Sequence, residues 1–239
     1  MTSKKVLYED GTKKILESDS SDQLILSFTD TISTPNGSTQ KKIKGRGAIN
    51  NAISCHLFDY LESYNILTYF ISKSNDKEMT VKKVETLPFE VLISNVATGA
   101  LCKKLKVKEG NVLDAPVIEY AYKQTNGDRE IIDETALLKI NVTTAEEIKT
   151  LNMLVFKINA LLKSFLERRN IKLVDSLLQF GKYRGHFILA GELSPDTCRM
   201  WDRNSDEKMD KDSFLQDLGN AEQGYQEIHN RIFVGEHST

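Results

Sequence analysis

Between Thr144 and Arg168 the chain sets Ile148, Leu151, Leu154, Val155, Ile158, Leu161, Leu162 and Phe165 at helical spacing. Thr144 stands three positions before Glu147, a pairing that satisfies the first free amides of a helix from both sides. Lys, Asn and Glu fill the opposite face, so the pattern predicts a long core helix and not a membrane span. A stripe of that length has to be buried against another layer.

The remaining segments read mainly as short strands. QLILSF (23–28) is a strand candidate, followed by the turn-rich DTISTPNGSTQ with its Asn36-Gly37 pair. A helix is predicted over 47–63, where Ile49, Ile53, Leu57 and Tyr60 or Leu61 recur at helical spacing. LTYFISK, EMTVKKVETL and FEVLISNV are further strands, with Pro88 expected to separate the last two. GALCKKLKVKEG (99–110) reads as a short helix or a polar turn, and Asn126-Gly127 as a hairpin connection between VIEYAYK and REIIDE. IKLVD and HFILA flank the turn GKYRG, and EQGYQEIHNRIF is a last helix. The expected fold is α+β: an N-terminal antiparallel sheet subdomain over 1–86 and a larger α+β subdomain over 87–239.

Charge and composition exclude several functions. The 32 Lys and Arg nearly balance 34 Asp and Glu, for a net charge of -2, which gives no electrostatic basis for general nucleic-acid binding. No apolar run is long enough to cross a bilayer, and the opening MTSKKVLYEDGTKK has no apolar segment of the secretory type. Cys55, Cys102 and Cys198 match no zinc spacing and are expected as buried thiols in a reducing, cytoplasmic setting.

Several polar positions are candidates for ligand binding. Lys13 follows Gly11 but lacks the spacing of a P-loop. Lys82 and Lys83 sit in a strand, so one is expected to enter a cleft while the other meets solvent. Asn50 and Asn51 on the first helix, Ser94-Asn95 at a strand end and Lys123 after an apolar strand are each, taken singly, ordinary structural or surface residues. SPDTCR is denser: Ser194, Asp196, Thr197 and Arg199 bring hydroxyl, carboxylate and guanidinium groups together around Pro195. Such groups suit a hydroxylated, phosphorylated ligand, since Asp accepts from hydroxyls and Arg forks onto phosphate. The plainer reading is a capped turn with an Asp196–Arg199 pair. His186 and His229 have no nearby partners for a triad or a zinc site.

LYEDGTKKI, KGRGAINNAISCHLF, VKKVETLPFEVLISNVATGAL, IKLVDSLLQFG, GELSPDTCRMWD and EKMDKDSFLQDLGN follow one another in an order that resembles the SAICAR synthetase family over nearly the whole chain. The resemblance implies a SAICAR synthetase-like fold. It also implies ATP- and magnesium-dependent joining of aspartate to a phosphoribosyl aminoimidazole carboxylate through an acyl phosphate. A homo-oligomer is a further implication. The retained set that it points to for ligand binding is Lys13, Lys82, Lys83, Asn50, Asn95, Lys123, Asp175, Ser194, Asp196 and Arg199.

Departures from the family pattern fall on charge. The opening Gly-Lys-Ala-Lys is Asp10, Gly11, Thr12, Lys13; the strand Val-Asp-Phe-Lys-Leu-Glu-Phe-Gly carries Leu177 and Gln179 in place of its Lys and Glu. The Asp-Glu pair before SPD is Gly191-Glu192, and Ser94, Ala100, Ser213 and Leu215 stand at other family positions, three of them arginines. These changes predict a protein that binds or sequesters a nucleotide or another ribose-phosphate compound and lacks ordinary ligation, with no cofactor. The alternative is a working synthetase or a repurposed amide-forming ligase, for which ATP and magnesium would be required.

Overall fold

The computed structural model describes residues 4–33, 40–123, 129–209, 211, 214 and 218–233. In chain order these give β1 (Val6–Glu9), β2 (Lys13–Glu17), β3 (Gln23–Phe28), β4 (Thr31–Ser33), β5 (Gln40–Lys42), α1 (Arg46–Glu62), β6 (Phe70–Asn75) and β7 (Glu78–Lys82). There follow β8 (Glu85–Val96), α2 (Gly99–Leu105), β9 (Val112–Lys123), β10 (Arg129–Ile132), α3 (Glu134–Lys139) and α4 (Ala145–Glu167). The chain continues with β11 (Ile171–Tyr183), β12 (His186–Ala190), β13 (Cys198–Asp202) and a last helix, α5 (Leu218–Ile232).

Two antiparallel sheets organise the molecule. One is five-stranded in the order β1-β2-β3-β7-β6; the other runs β10-β9-β8-β11-β12, with β13 also paired to β11. Backbone hydrogen bonds stitch them together: Leu189 in β12 donates to Leu67 O, and Tyr69 N donates to Leu189 O, each at 2.9 Å. One hydrophobic core, with Leu26, Phe58, Val91, Ile158 and Phe180 among its members, is continuous through both sheets and the helices. The α+β class read from the sequence is the class observed, and no helix among the described residues is long and apolar enough to cross a membrane.

The helix that dominates the sequence forms as its pattern requires. Thr144 Oγ1 accepts from Glu147 N, and the Glu147 side chain accepts from Thr144 N, each at 3.2 Å. Ile148, Leu151, Val155, Ile158, Leu162 and Phe165 are buried against the second sheet, with Leu154 and Leu161 at the edge of that stripe. Asn159 breaks the expected division of faces. It is buried and exchanges two amide hydrogen bonds with Asn95, at 2.9 and 2.8 Å, which joins α4 to β8.

Pro88 does not separate two strands; β8 runs through it. The pairing of β8 with β11 is irregular there, jumping from Glu90–Gln179 to Thr86–Gly181. An unpaired stretch at a bulge tolerates a residue without an amide proton. EMTVKKVETL is instead divided at Lys83 and Val84, between β7 and β8. β11 also extends past IKLVD to Tyr183, so the turn before β12 is confined to Arg184 and Gly185. Asn36-Gly37 and Asn126-Gly127 lie outside the described residues, although β9 and β10 do pair antiparallel on either side of the latter.

Candidate active site

A cleft of about 540 Å³ opens between the two sheets. Ile15, Leu24, Leu26 and Val81 give it an apolar wall from the first sheet, and Leu87 and Phe89 close it from the second. Its polar end collects Asp10, Lys13, Glu90, Gln179 and Gly191, while Lys82 lies towards the other end of the first sheet, opposite Gln23 of β3 where Lys13 is opposite Phe28. The apolar portion suits a flat ring system and the polar end a charged group.

The turn before β2 sets the polar end. Asp10 Oδ1 accepts from Thr12 N at 2.9 Å, Thr12 Oγ1 at 2.6 Å and Lys13 N at 3.0 Å. Burial would push the Asp10 carboxyl up, but the Thr12 hydroxyl and the Lys13 charge outweigh it and hold the carboxyl below its usual range. Asp10 therefore folds the turn that aims Lys13. Lys13 Nζ meets Glu192 Oε2 at 3.0 Å, and Glu192 Oε1 accepts from Ser194 Oγ at 2.7 Å. Burial opposes the charge on both Lys13 and Glu192; their mutual attraction overrides it, raising the lysine and lowering the carboxylate, with Arg46 adding to the latter.

Helix α1 supports the loop that carries Glu192. Arg46, Asn50 and Ser54 recur every fourth residue and so share one face. Arg46, 1% exposed, donates to Thr29 O at 2.7 Å and pairs with the Asp196 carboxylate, which the Tyr225 hydroxyl from α5 also engages. Ser54 Oγ donates to Leu193 O at 3.0 Å and accepts from Leu193 N at 3.3 Å. Gly47 lets the helix start this close: a Cβ there would lie 2.9 Å from Phe28 O.

Asp196 thus pairs with Arg46 and not with Arg199. Arg199 Nε faces Asp175 Oδ2 at 3.2 Å, and its Nη1 donates to Thr98 Oγ1 at 2.8 Å. The Asp196–Arg199 pair expected from their proximity in sequence fails because Arg199 lies within β13, where it pairs opposite Asp175 of β11. A second cavity, of about 240 Å³, lies beside Arg199, with Asp175, Leu177, Leu92 and Thr197 in its lining.

Strand β11 joins the two cavities. Asp175, Leu177 and Gln179 alternate onto one face, opposite Ser94, Leu92 and Glu90 of β8 in register. Asp175 and Leu177 line the smaller cavity, Gln179 lines the larger, and Ala121 borders both.

The magnesium implied by the family pattern would belong at Gln179 and Gly191. Gly191 has φ +75°, and a Cβ there would stand 3.1 Å from the Gln179 side chain, so the two positions touch. Among the described residues no three His, Cys, Asp or Glu side chains gather as a metal-binding group. The neighbourhood supplies one buried, ionised carboxylate, Glu192, and the neutral Gln179 Oε1. Magnesium commonly uses one or two carboxylates together with nucleotide phosphates. These residues therefore fit an ion carried in on phosphates, held by Glu192 and Gln179, and do not fit one caged by protein alone.

The structure sorts the remaining candidates. Lys82 lines the larger cleft, with Nζ on Thr68 O at 2.8 Å, whereas Lys83 is exposed. Asn51 is a tie to the β6–β7 turn, donating to Asn75 O at 2.9 Å, and Asn95 is committed to Asn159. Asn50 is fully buried on the face that meets the Glu192 loop, and neither amide atom has a hydrogen-bond partner among the described residues. Lys123 ends β9 opposite Arg129. Ser194 is fully buried, while Pro195, Asp196, Thr197, Cys198 and Arg199 all line the smaller cavity, Asp196 with its carboxylate tied to Arg46 and Tyr225. Ser213 and Leu215 lie outside the described residues. The sequence reading missed Arg46, Tyr225 and Tyr69, which lines the larger cleft and whose hydroxyl donates to Gly191 O; only the Arg between two glycines in KGRG hinted at the first. Cys55 and Cys198 are buried and pushed up by burial to about 12 and about 11, while Cys102 is half-buried.

Comparison with known proteins agrees with the order of the sequence blocks. Residues 6–232 match the SAICAR synthetase family. Phosphoribosylaminoimidazole-succinocarboxamide synthase of Clostridium botulinum (strain Hall) is 39% identical over 232 residues, covering 97% of this chain and 99% of the relative. The enzyme of the same name from Clostridium perfringens (strain SM101) is 40% identical over 227 residues, covering 95% and 97%. The crystal structure of that synthase from Ehrlichia chaffeensis superposes with a TM-score of 0.89 at 34% identity, covering 95% of this chain and 98% of the other. A SAICAR synthetase solved in complex with ADP also gives 0.89, at 36% identity with 95% and 97% coverage. The chain belongs to the SAICAR synthetase family.

Proposed function

We propose that this protein is a nucleotide-dependent carboxylate–amine ligase that keeps the family's nucleotide cleft and has altered what surrounds it. The observation that carries this reading is the two-cavity arrangement along β11, in a chain 39–40% identical over almost its full length to proteins named as synthetases. That breadth of similarity weighs more for retained ligation than for a binding-only descendant. ADP occupies a relative of the same fold, and the ring-sized apolar wall with Lys13 at its polar end suits a nucleotide here.

The chemistry is that of the family. A carboxylate oxygen attacks the terminal phosphorus of ATP, the bond to the bridging oxygen breaks, and ADP leaves. An amine then attacks the carbonyl carbon of the acyl phosphate, phosphate departs and the nitrogen loses a proton. Lys13 would shift from Glu192 towards the phosphates, and Arg199 would hold the carboxylate substrate. Magnesium bound there would offset charge on the transferring phosphate. A cytoplasmic setting, with reduced thiols and abundant nucleotide, goes with this reading.

A second reading is binding without turnover, favoured by Gln179 and Gly191 and by the closed Lys13–Glu192 pair. Incubation with ATP, magnesium, aspartate and a panel of carboxylates, followed by mass spectrometry, separates the two. A new amide in step with ADP supports ligation. Calorimetric binding of ADP with no amide and no ATP loss supports the second reading, and failure to bind any nucleotide removes both.

A further inference from the structure

We infer that the smaller cavity takes a carboxylate carried on an apolar body, such as an aromatic ring or branched chain, in place of a sugar phosphate. This rests on the ligase reading for its role as substrate, but the binding surface stands on its own geometry. Leu177 and Leu92 are direct cross-strand partners, and both are only half-buried although they lie mid-strand in a central part of the sheet. Ile131, 51% exposed, stands on β10 beside them. Together they give the cavity an apolar floor that no other described residue covers.

The opposite wall is polar. Arg199 has 36% of its side chain exposed while Asp175 and Thr98 fix its orientation, and Lys211 lines the same space. An anion set against Arg199 would have the rest of its molecule over the three aliphatic side chains. Hydroxyls laid on that floor would lose water without gaining partners there, and the other polar groups of the lining are already engaged: Asp175 by Arg199, Asp196 by Arg46 and Tyr225, and Thr197 by Ser194 N and Glu192 O. An apolar body releases water from the floor on binding. Leu177 also stands between Asp175 and Gln179 on one strand face, so it lies where the cavity approaches the nucleotide cleft. It is the specificity-determining residue of this assignment.

Calorimetric titration of the full chain with benzoate, an imidazole carboxylate and 4-methylpentanoate, against ribose 5-phosphate, tests this without turnover. The apolar carboxylates should bind at least tenfold more tightly. Leu177→Lys should weaken them at least tenfold and reduce or reverse the preference, and Leu177→Ala should weaken them less; unfolding midpoints report whether each variant is folded. Ribose 5-phosphate binding as tightly as the carboxylates, no binding by any of the panel, or an unchanged order in folded Leu177→Lys would overturn the assignment. ADP titrated separately reads the larger cleft alone, so its failure counts against the nucleotide reading and not against this one.

Discussion

Arg46 anchors the site although it does not line either cavity. Its guanidinium is almost wholly buried and holds the Asp196 carboxylate, and through it the turn that presents Thr197 and Arg199. Breaking a buried pair leaves one charge unmatched, which costs about 3–5 kcal/mol. Arg46→Leu should therefore lower the unfolding free energy by about that amount in denaturant titration, whereas Arg46→Leu combined with Asp196→Leu should recover part of the loss. Asp202 is held by Arg231 at 2.6 Å and by Asn204 N and Ser205 N, each at 2.8 Å. The Arg231 hydrogen bond, then those amides, hold its carboxyl well below the usual range. A depressed folded value stabilises above the unfolded value, near about 3.9, and the gain disappears as pH falls through the folded value. Asp202→Asn should cost about 1–2 kcal/mol at neutral pH, with the difference from the parent shrinking progressively below about pH 4.

Among the elements, α4 was legible because its capping box and apolar stripe are both local signals, and the structure reproduces both. Asn159 was not, because its partner Asn95 is 64 positions away and nothing local marks a buried amide pair. Asn159→Leu should destabilise the protein by about 1–3 kcal/mol, since Asn95 then lacks one side of its pair, and thermal unfolding checks this. The strands β1, β2 and β13 escaped the sequence reading. The first two are short, and neither holds a buried residue, β1 being exposed throughout although it reads VLYE, so no buried face imposes alternation on them. SPDTCR was legible as a polar knot, yet its internal pairing was not. Proximity in sequence suggested Asp196 with Arg199, but strand register gave Arg199 to Asp175 and left Asp196 to a helix 150 positions earlier.

At the scale of the molecule, two sheets meet along a cleft, and the strand that carries the altered residues spans both cavities. The family pattern made the fold and the order of the blocks legible in advance. It did not reveal that the substitutions at 177 and 179 share a face of β11 and that 191, just past the end of its partner β12, touches 179, which follows from the pairing. This placement separates their effects. Gln179 belongs to the phosphate end, so Gln179→Glu should lower the magnesium concentration needed for half-maximal nucleotide binding by about tenfold, about 1.4 kcal/mol, read by titrating magnesium at fixed ADP. Leu177 belongs to the smaller cavity and should leave that titration unchanged.

The most direct test is ADP release in the presence of ATP, magnesium, aspartate and the apolar carboxylates, with each component omitted in turn. The protein should release ADP when a carboxylate is present, and omission of that carboxylate should abolish the release. Binding of ADP to the cleft with no carboxylate-dependent release under any of these conditions would contradict a retained ligation.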